Sequence, residues 1–140
     1  MPAKILILCT GNSCRSQMAE GFLNYFDSNL EVRSAGTEPA DKVNPNAVKV
    51  MRDIGIDISG GKPDNVDKYL NEEWDYVVTV CGHAHEACPV FQGRVKQRLH
   101  IGFDDPAEAS GTDAEILAEF KSVRDEIGRD FKTFYNSIKS

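Results

Sequence analysis

At 140 residues, with 41% apolar and 27% charged side chains, the chain has the size and make-up of one globular domain, residues 1–140, with a well-buried core. Its formal net charge of -6 excludes the basic face that non-specific nucleic-acid binding needs, and no apolar run approaches the ~20 residues of a membrane helix. Neither nucleic acid nor membrane is an expected partner, and an anionic substrate has to be held by local design.

Met1-Pro2-Ala3-Lys4 opens onto five apolar residues, too few for a signal peptide, so cytoplasm is the expected compartment. There, four cysteines point to catalysis, metal binding or redox cycling rather than to structural staples.

In chain order, Lys4 to Leu8 reads as a short, continuously apolar strand that stops at the loop-forming run Cys9-Thr10-Gly11-Asn12-Ser13. From Ser16, Met18, Ala19, Phe22, Leu23 and Phe26 recur with helical spacing. Glu31 to Ala35 is a second strand, ended by Gly36. Asn44-Pro45 is an N-cap followed by proline at the first helical position, and Gly55 sits where that helix closes. A weaker helical segment covers Val66 to Trp74. Tyr76 to Val80 is a third strand leading into Cys81, and Leu99 to Phe103 a fourth.

Thr112 and Glu115 make a capping-box pattern, after which Ile116, Phe120, Val123, Ile127, Phe131, Phe134 and Ile138 hold one apolar stripe. Alternating strands and helices predict a single-domain α/β fold, a four-stranded parallel sheet with helices on both faces.

Cys9 and Arg15 are separated by five residues and lie between a strand and a helix. In open α/β sheets ligands bind beyond the carboxyl ends of the strands. Backbone N–H groups of Thr10, Gly11, Asn12, Ser13, Cys14, Arg15 and Ser16 are placed to wrap an oxyanion at a helix N-terminus. The Arg15 guanidinium matches two oxygens of a tetrahedral anion, and the same field favours a thiolate at Cys9, with Ser16 as a hydrogen-bond donor to it. A thiolate aimed at a bound oxyanion is a nucleophile. Cys14, inside the loop, reads as packing.

Cys81-Gly82-His83-Ala84-His85-Glu86-Ala87-Cys88-Pro89 follows the third strand, so Cys81 belongs at the same sheet edge as Cys9. If the segment is helical, Cys81 and Cys88 are about 10 Å apart at Cα. A disulfide tolerates at most ~7 Å, so bonding them requires that helix to unwind. Gly82 and Pro89 make it short and easily melted. Two other readings stay open here: Cys81, His83, His85 and Cys88 as ligands of zinc type in a thiol- or metal-sensing protein, with His83 and His85 otherwise solvated loop residues, or oxidation-sensitive thiols on a phosphomonoesterase.

The thirteen residues from Cys9 to Gly21, Cys-Thr-Gly-Asn-Ser-Cys-Arg-Ser-Gln-Met-Ala-Glu-Gly, closely resemble the signature of thioredoxin-coupled arsenate reductases. Those enzymes share their fold with low-molecular-weight protein tyrosine phosphatases. The likeness continues through Ser34-Ala35-Gly36, Asn44-Pro45, Gly55-Ile56-Asp57-Ile58-Ser59, Val77-Val78-Thr79-Val80-Cys81 and Gly102-Phe103-Asp104-Asp105-Pro106-Ala107.

The resemblance implies Asp105 as general acid or base. It implies a relay through Cys9, Cys81 and a redox disulfide of Cys81 with Cys88, thioredoxin as reductant, and rearrangement of the 81–88 segment on oxidation. Arsenate, phosphate or sulfate would occupy the loop, no tightly bound cofactor is required, and a monomer is expected. It also implies a potassium ion held by Asn12, Glu20, Ser34 and Asp64, oxygen donors suited to a hard cation. Two departures from the phosphatases favour arsenate. Gln17 replaces a proline common after their loop, and Ala107 and Glu108 stand where tyrosines usually follow Asp-Pro.

Overall fold

Lys4–Cys9 forms β1, a strand whose residues Ile5 to Leu8 are wholly buried, as a continuous apolar run requires at the centre of a sheet. The computed structural model describes residues 3–86 and 88–139; Met1, Pro2, Ala87 and Ser140 lie outside the described residues. β1 pairs in parallel with β2 (Glu31–Gly36) on one side and with β3 (Trp74–Thr79) on the other, and β3 pairs with β4 (Val95–His100). The order is β2-β1-β3-β4, the expected four-stranded parallel sheet.

Helices α1 (Arg15–Phe26), α2 (Pro45–Arg52), α3 (Gly82–Glu86) and α4 (Asp113–Ile138) complete the described regular structure, with 3-10 turns at Val66–Tyr69 and Pro106–Glu108. The local signals act as read. Asn44 accepts a hydrogen bond from the Asn46 N–H at 2.8 Å, Pro45 opens α2, and Gly55 turns the chain beyond it at φ 84. Thr112 and Glu115 bond each other's backbone N–H at 3.2 Å at the start of α4. That helix buries Phe120, Val123, Ile127, Phe131 and Phe134, each worth roughly 1.5–3 kcal/mol relative to exposure.

Strand pleating assigns the two faces. Tyr76 stacks edge-on against Phe134 of α4 and lines a groove with Gln97 and Leu99. Val77, Thr79, Arg98 and His100 instead line a cavity with His85 of α3 and with Cys88. Helix α4 and helix α3 thus lie on opposite faces.

Two expectations need correction. Helical structure in the 66–74 stretch is confined to the 3-10 turn Val66–Tyr69, because Trp74 is needed to open β3 beside Val95. The fourth strand is Val95–His100 rather than Leu99 to Phe103. It is an edge strand carrying Lys96, Gln97 and Arg98, and charges that protect an edge from mispairing also hide it from a search for apolar runs.

Candidate active site

The loop after β1 owes its shape to where its carbonyls go. The carbonyls of Cys9, Thr10, Gly11 and Ser13 accept from the N–H groups of Thr37, Glu38, Ala40 and Asn44, between 2.7 and 3.2 Å. Cys14 accepts from Met18 within α1, and Asn12 accepts from the buried Gln17 amide at 3.1 Å. With every carbonyl from Cys9 to Cys14 drawn outward, the N–H groups are turned inward. Among the described residues those of Gly11, Asn12, Ser13 and Cys14 donate to no backbone carbonyl. Asn12 makes the bend at φ 51, tolerable for asparagine, and its side chain ties the loop by donating to Ser16 Oγ at 2.7 Å and accepting from the Asp64 N–H at 2.9 Å. Helix α1 begins here with no side-chain cap, leaving its first N–H groups to a ligand.

Arg15 is fixed by its Nη1, which donates to the Phe103 carbonyl at 3.0 Å, while Nη2 stands 3.5 Å from Asp105 Oδ2. Its buried Nε finds no hydrogen-bond partner among the described residues. A buried guanidinium N–H without an acceptor is costly, and an oxyanion in the loop supplies the acceptor. Asp105 is itself oriented, because Oδ1 accepts from the Ala107 N–H at 3.0 Å while Oδ2 faces the loop. Arg15 and Asp105, 90 residues apart in sequence, meet beyond the carboxyl ends of the strands.

Cys81 lies just past β3 and reaches the same edge. Its Sγ is 3.3 Å from Thr10 Oγ1 and accepts from the Ala84 N–H at 3.3 Å, the first turn of α3. It also accepts a hydrogen bond from the Cys9 thiol, which with those two donors and Arg15 brings the Cys81 thiol down to about 4.

Cys9 and Cys81 are coupled through one hydrogen bond. Cys9 is raised above its ordinary value, first because its proton is held by Cys81 and second because it is buried, effects that outweigh the favourable field of Arg15. Two sulfurs in hydrogen-bond contact share one proton, so the pair titrates as a unit, with one thiol and one thiolate at neutral pH. The Ser16 hydroxyl oxygen accepts from the Asn12 side-chain amide at 2.7 Å, which orients the hydroxyl and leaves its own proton to donate. Cys14 is buried and pushed up to about 12 by burial and by Asp105, an inert thiol that packs.

Cys88 is half-buried past the end of α3, on the face opposite α4, and its thiol donates to the Pro89 carbonyl at 3.8 Å. The four side chains of zinc-binding type diverge. His83 pairs with Glu38 at 3.5 Å, and His85 stacks on His100 with ring centroids 4.4 Å apart, so both histidines sit on a helix rather than in a loop. Among the described residues no three His, Cys, Asp or Glu side chains converge on a metal position.

Asn12, Glu20, Ser34 and Asp64 do gather beneath the loop. Ser34 donates to Glu20 Oε1 at 2.5 Å, Asn12 Oδ1 accepts from the Asp64 N–H, and Tyr69 donates to Asp64 Oδ2 at 3.1 Å. Glu20, Ser34 and Asp64 border one cavity of about 560 Å³. Burial raises the Glu20 carboxyl, with Asp64 adding to the rise, so the donor set fits a hard cation that would neutralise two neighbouring acids.

A profile of low molecular weight phosphotyrosine protein phosphatases matches residues 4–140. The chain belongs to that family. Within this phosphatase family its similarity runs toward one branch. It is 56% identical over 136 residues to the arsenate reductase of Halalkalibacterium halodurans and 53% identical over 136 residues to that of Bacillus subtilis, with 96% of each chain covered in both cases. The solved structure of an arsenate reductase in the phosphate binding state superposes with a TM-score of 0.83 at 30% identity, covering 99% of this chain and 100% of that one. The tyrosine phosphatase Wzb from Escherichia coli K30, in complex with sulphate, shares the fold with a TM-score of 0.78 at 20% identity, covering 99% and 100%.

Sequence reasoning missed two contributors to this phosphatase-family site: Thr10 as a partner of Cys81, and the Phe103 carbonyl that anchors Arg15. Neither has a local signal, since each acts across the sheet.

Proposed function

We propose that the protein reduces arsenate to arsenite. One observation carries this reading: a second sulfur, Cys81, stands against the nucleophile position of a phosphatase-type loop, held there by Thr10 at the end of the neighbouring strand. A hydrolase of this fold needs one cysteine there. A reductase needs a second to take the first one's sulfur.

Arsenate enters the loop as a dianion, and the Cys9 proton passes to an arsenate oxygen, with Asp105 placed to complete protonation of the leaving oxygen. Cys9 sulfur attacks arsenic, a sulfur–arsenic bond forms and water leaves. The loop N–H groups and Arg15 hold the oxygens throughout. Cys81 thiolate then attacks Cys9 sulfur. The sulfur–arsenic electron pair returns to arsenic, which departs as arsenite, and a Cys9–Cys81 disulfide remains. Cys88 attacks Cys81, forming the Cys81–Cys88 bond and releasing Cys9 as thiolate. A dithiol of thioredoxin type reduces that bond by exchange. Two electrons pass through sulfur alone.

Helix α3, five residues long, lies between the two later cysteines and has to open for their bond to form. Of its residues only Ala84 is buried, so little packing resists that opening. Potassium, held by Asn12, Glu20, Ser34 and Asp64, would brace the loop by neutralising the two acids beneath it. The working form in this reading is a cytoplasmic monomer.

The test is the number of arsenite molecules made per enzyme with thioredoxin, its reductase and NADPH. Wild type cycles; Cys88→Ser stops after about one turnover, as a two-cysteine relay must; Cys81→Ser makes none. If Cys88→Ser cycles like wild type, the relay is wrong. If wild type and Cys81→Ser both hydrolyse a phosphate ester and neither makes arsenite, the enzyme is a phosphatase.

A further inference from the structure

We propose that Arg98 is a positioning residue for Cys88: it holds the thiolate of the third cysteine and clamps the segment carrying it to the edge of the sheet. The inference rests on the relay reading, in which Cys88 attacks the Cys9–Cys81 disulfide. Arg98 lies in β4 opposite Val77 of β3, so its side chain is delivered by strand register to the face that carries Cys88. Its Nη1 is 4.0 Å from Cys88 Sγ. The same guanidinium lies over the ring of Phe91, 5.5 Å from the centroid, and Phe91 is the buried anchor of the stretch that follows Cys88. One cation therefore touches both the sulfur and the anchor.

The surroundings sharpen that role. The cavity beside Cys88, about 350 Å³, is bordered by Arg98 and His100 from β4, His85 from α3, and Val77 and Thr79 from β3. No carboxylate lines it among the described residues, in a chain whose net charge is -6. Burial pushes the Cys88 thiol up, and Arg98 is the group that opposes this, by its charge and by its hydrogen bond. Attack on Cys81 consumes the thiolate: the Cys81–Cys88 bond forms, the Cys9–Cys81 bond breaks, and the electron pair leaves on Cys9. The neutral disulfide sulfur then gives Arg98 no anion to hold, so the step that needs α3 to open also loosens the clamp on the chain beyond it.

The experiment isolates the third thiol. In the full-length chain carrying Cys9→Ser, Cys14→Ser and Cys81→Ser, the rate of iodoacetamide alkylation against pH reports Cys88 alone. Arg98→Ala is expected to move the midpoint up by about one pH unit, the size of a lost nearby opposite charge. Its rate at neutral pH is expected to fall about threefold, less than the loss of thiolate because a more basic sulfur is a better nucleophile. Arg98→Lys restores part of the shift.

A second measurement, in the chain with all four cysteines, follows the appearance of the Cys81–Cys88 disulfide after one arsenate turnover without reductant; Arg98→Ala slows it, and more so at lower pH. An unmoved alkylation midpoint in both variants overturns the proposal, even where arsenite is made. A shifted midpoint in a chain whose wild type makes no arsenite supports the Arg98–Cys88 pairing and sinks the relay reading instead.

Discussion

Thr10 Oγ1 stands 3.3 Å from the Sγ of Cys81, joining the end of β1 to the end of β3 across 71 residues of sequence. Together with the Cys9 thiol and the Ala84 N–H it surrounds one sulfur with donors, which lower the Cys81 thiol.

The pH behaviour of that pair follows in sign. Cys81, lowered to about 4, is ionised at neutral pH, whereas Cys9, raised, is protonated. The thiolate absorbance of the substrate-free protein should therefore disappear only as pH falls through about 4. Cys9→Ala removes the largest contribution and should move that midpoint upward most, with Thr10→Val moving it less. An unchanged midpoint in Cys9→Ala would show that the contact between the sulfurs does not set the charge.

Arg15→Lys should weaken oxyanion binding about 10- to 100-fold, the worth of one or two lost charge-assisted hydrogen bonds. Lysine supplies charge but neither the fork nor the Phe103 anchor. Competition by phosphate, read as an inhibition constant, measures it without relying on turnover. Asp105→Asn should leave that constant within a fewfold and lower the first chemical step by roughly 10²–10⁴.

A Cβ at Gly36 would fall on the Thr10 carbonyl and lie 3.2 Å from Asn12 Cβ, both parts of the anion loop. Gly36→Ala should cost about 1–3 kcal/mol, seen as a Tm lowered by roughly 3–12 °C. It should also weaken phosphate binding, because β2 presses on the backbone that presents the N–H groups. A variant with the Tm and phosphate affinity of wild type would show that the loop yields freely.

Potassium, exchanged for a bulky monovalent cation at constant ionic strength, should raise the Tm by an amount that follows its binding, about 1.4 kcal/mol at a tenfold excess over Kd. Glu20→Gln should abolish most of that increment by removing one of the two acids of the donor set. Equal potassium responses in both chains would place the cation elsewhere.

Much of the fold was legible because its signals are local. Asn44-Pro45, the Thr112–Glu115 box and the apolar stripe of α4 each act within a few residues, and each does in the structure what its pattern requires. The fourth strand was displaced because β4 is an edge, and a charged edge lacks the apolar run by which a buried strand announces itself.

The sequence by itself determined the parts of the chemistry. A cysteine, a loop of small residues and an arginine between strand and helix specify an anion cradle, and two further cysteines seven residues apart require a segment that can open. Only the tertiary structure decided that Thr10 and Cys9 meet Cys81, that Phe103 anchors Arg15, and that Arg98 reaches Cys88. Those outcomes depend on distances between strands adjacent in the sheet but remote in sequence, and electrostatic energy follows distance through space rather than along the chain.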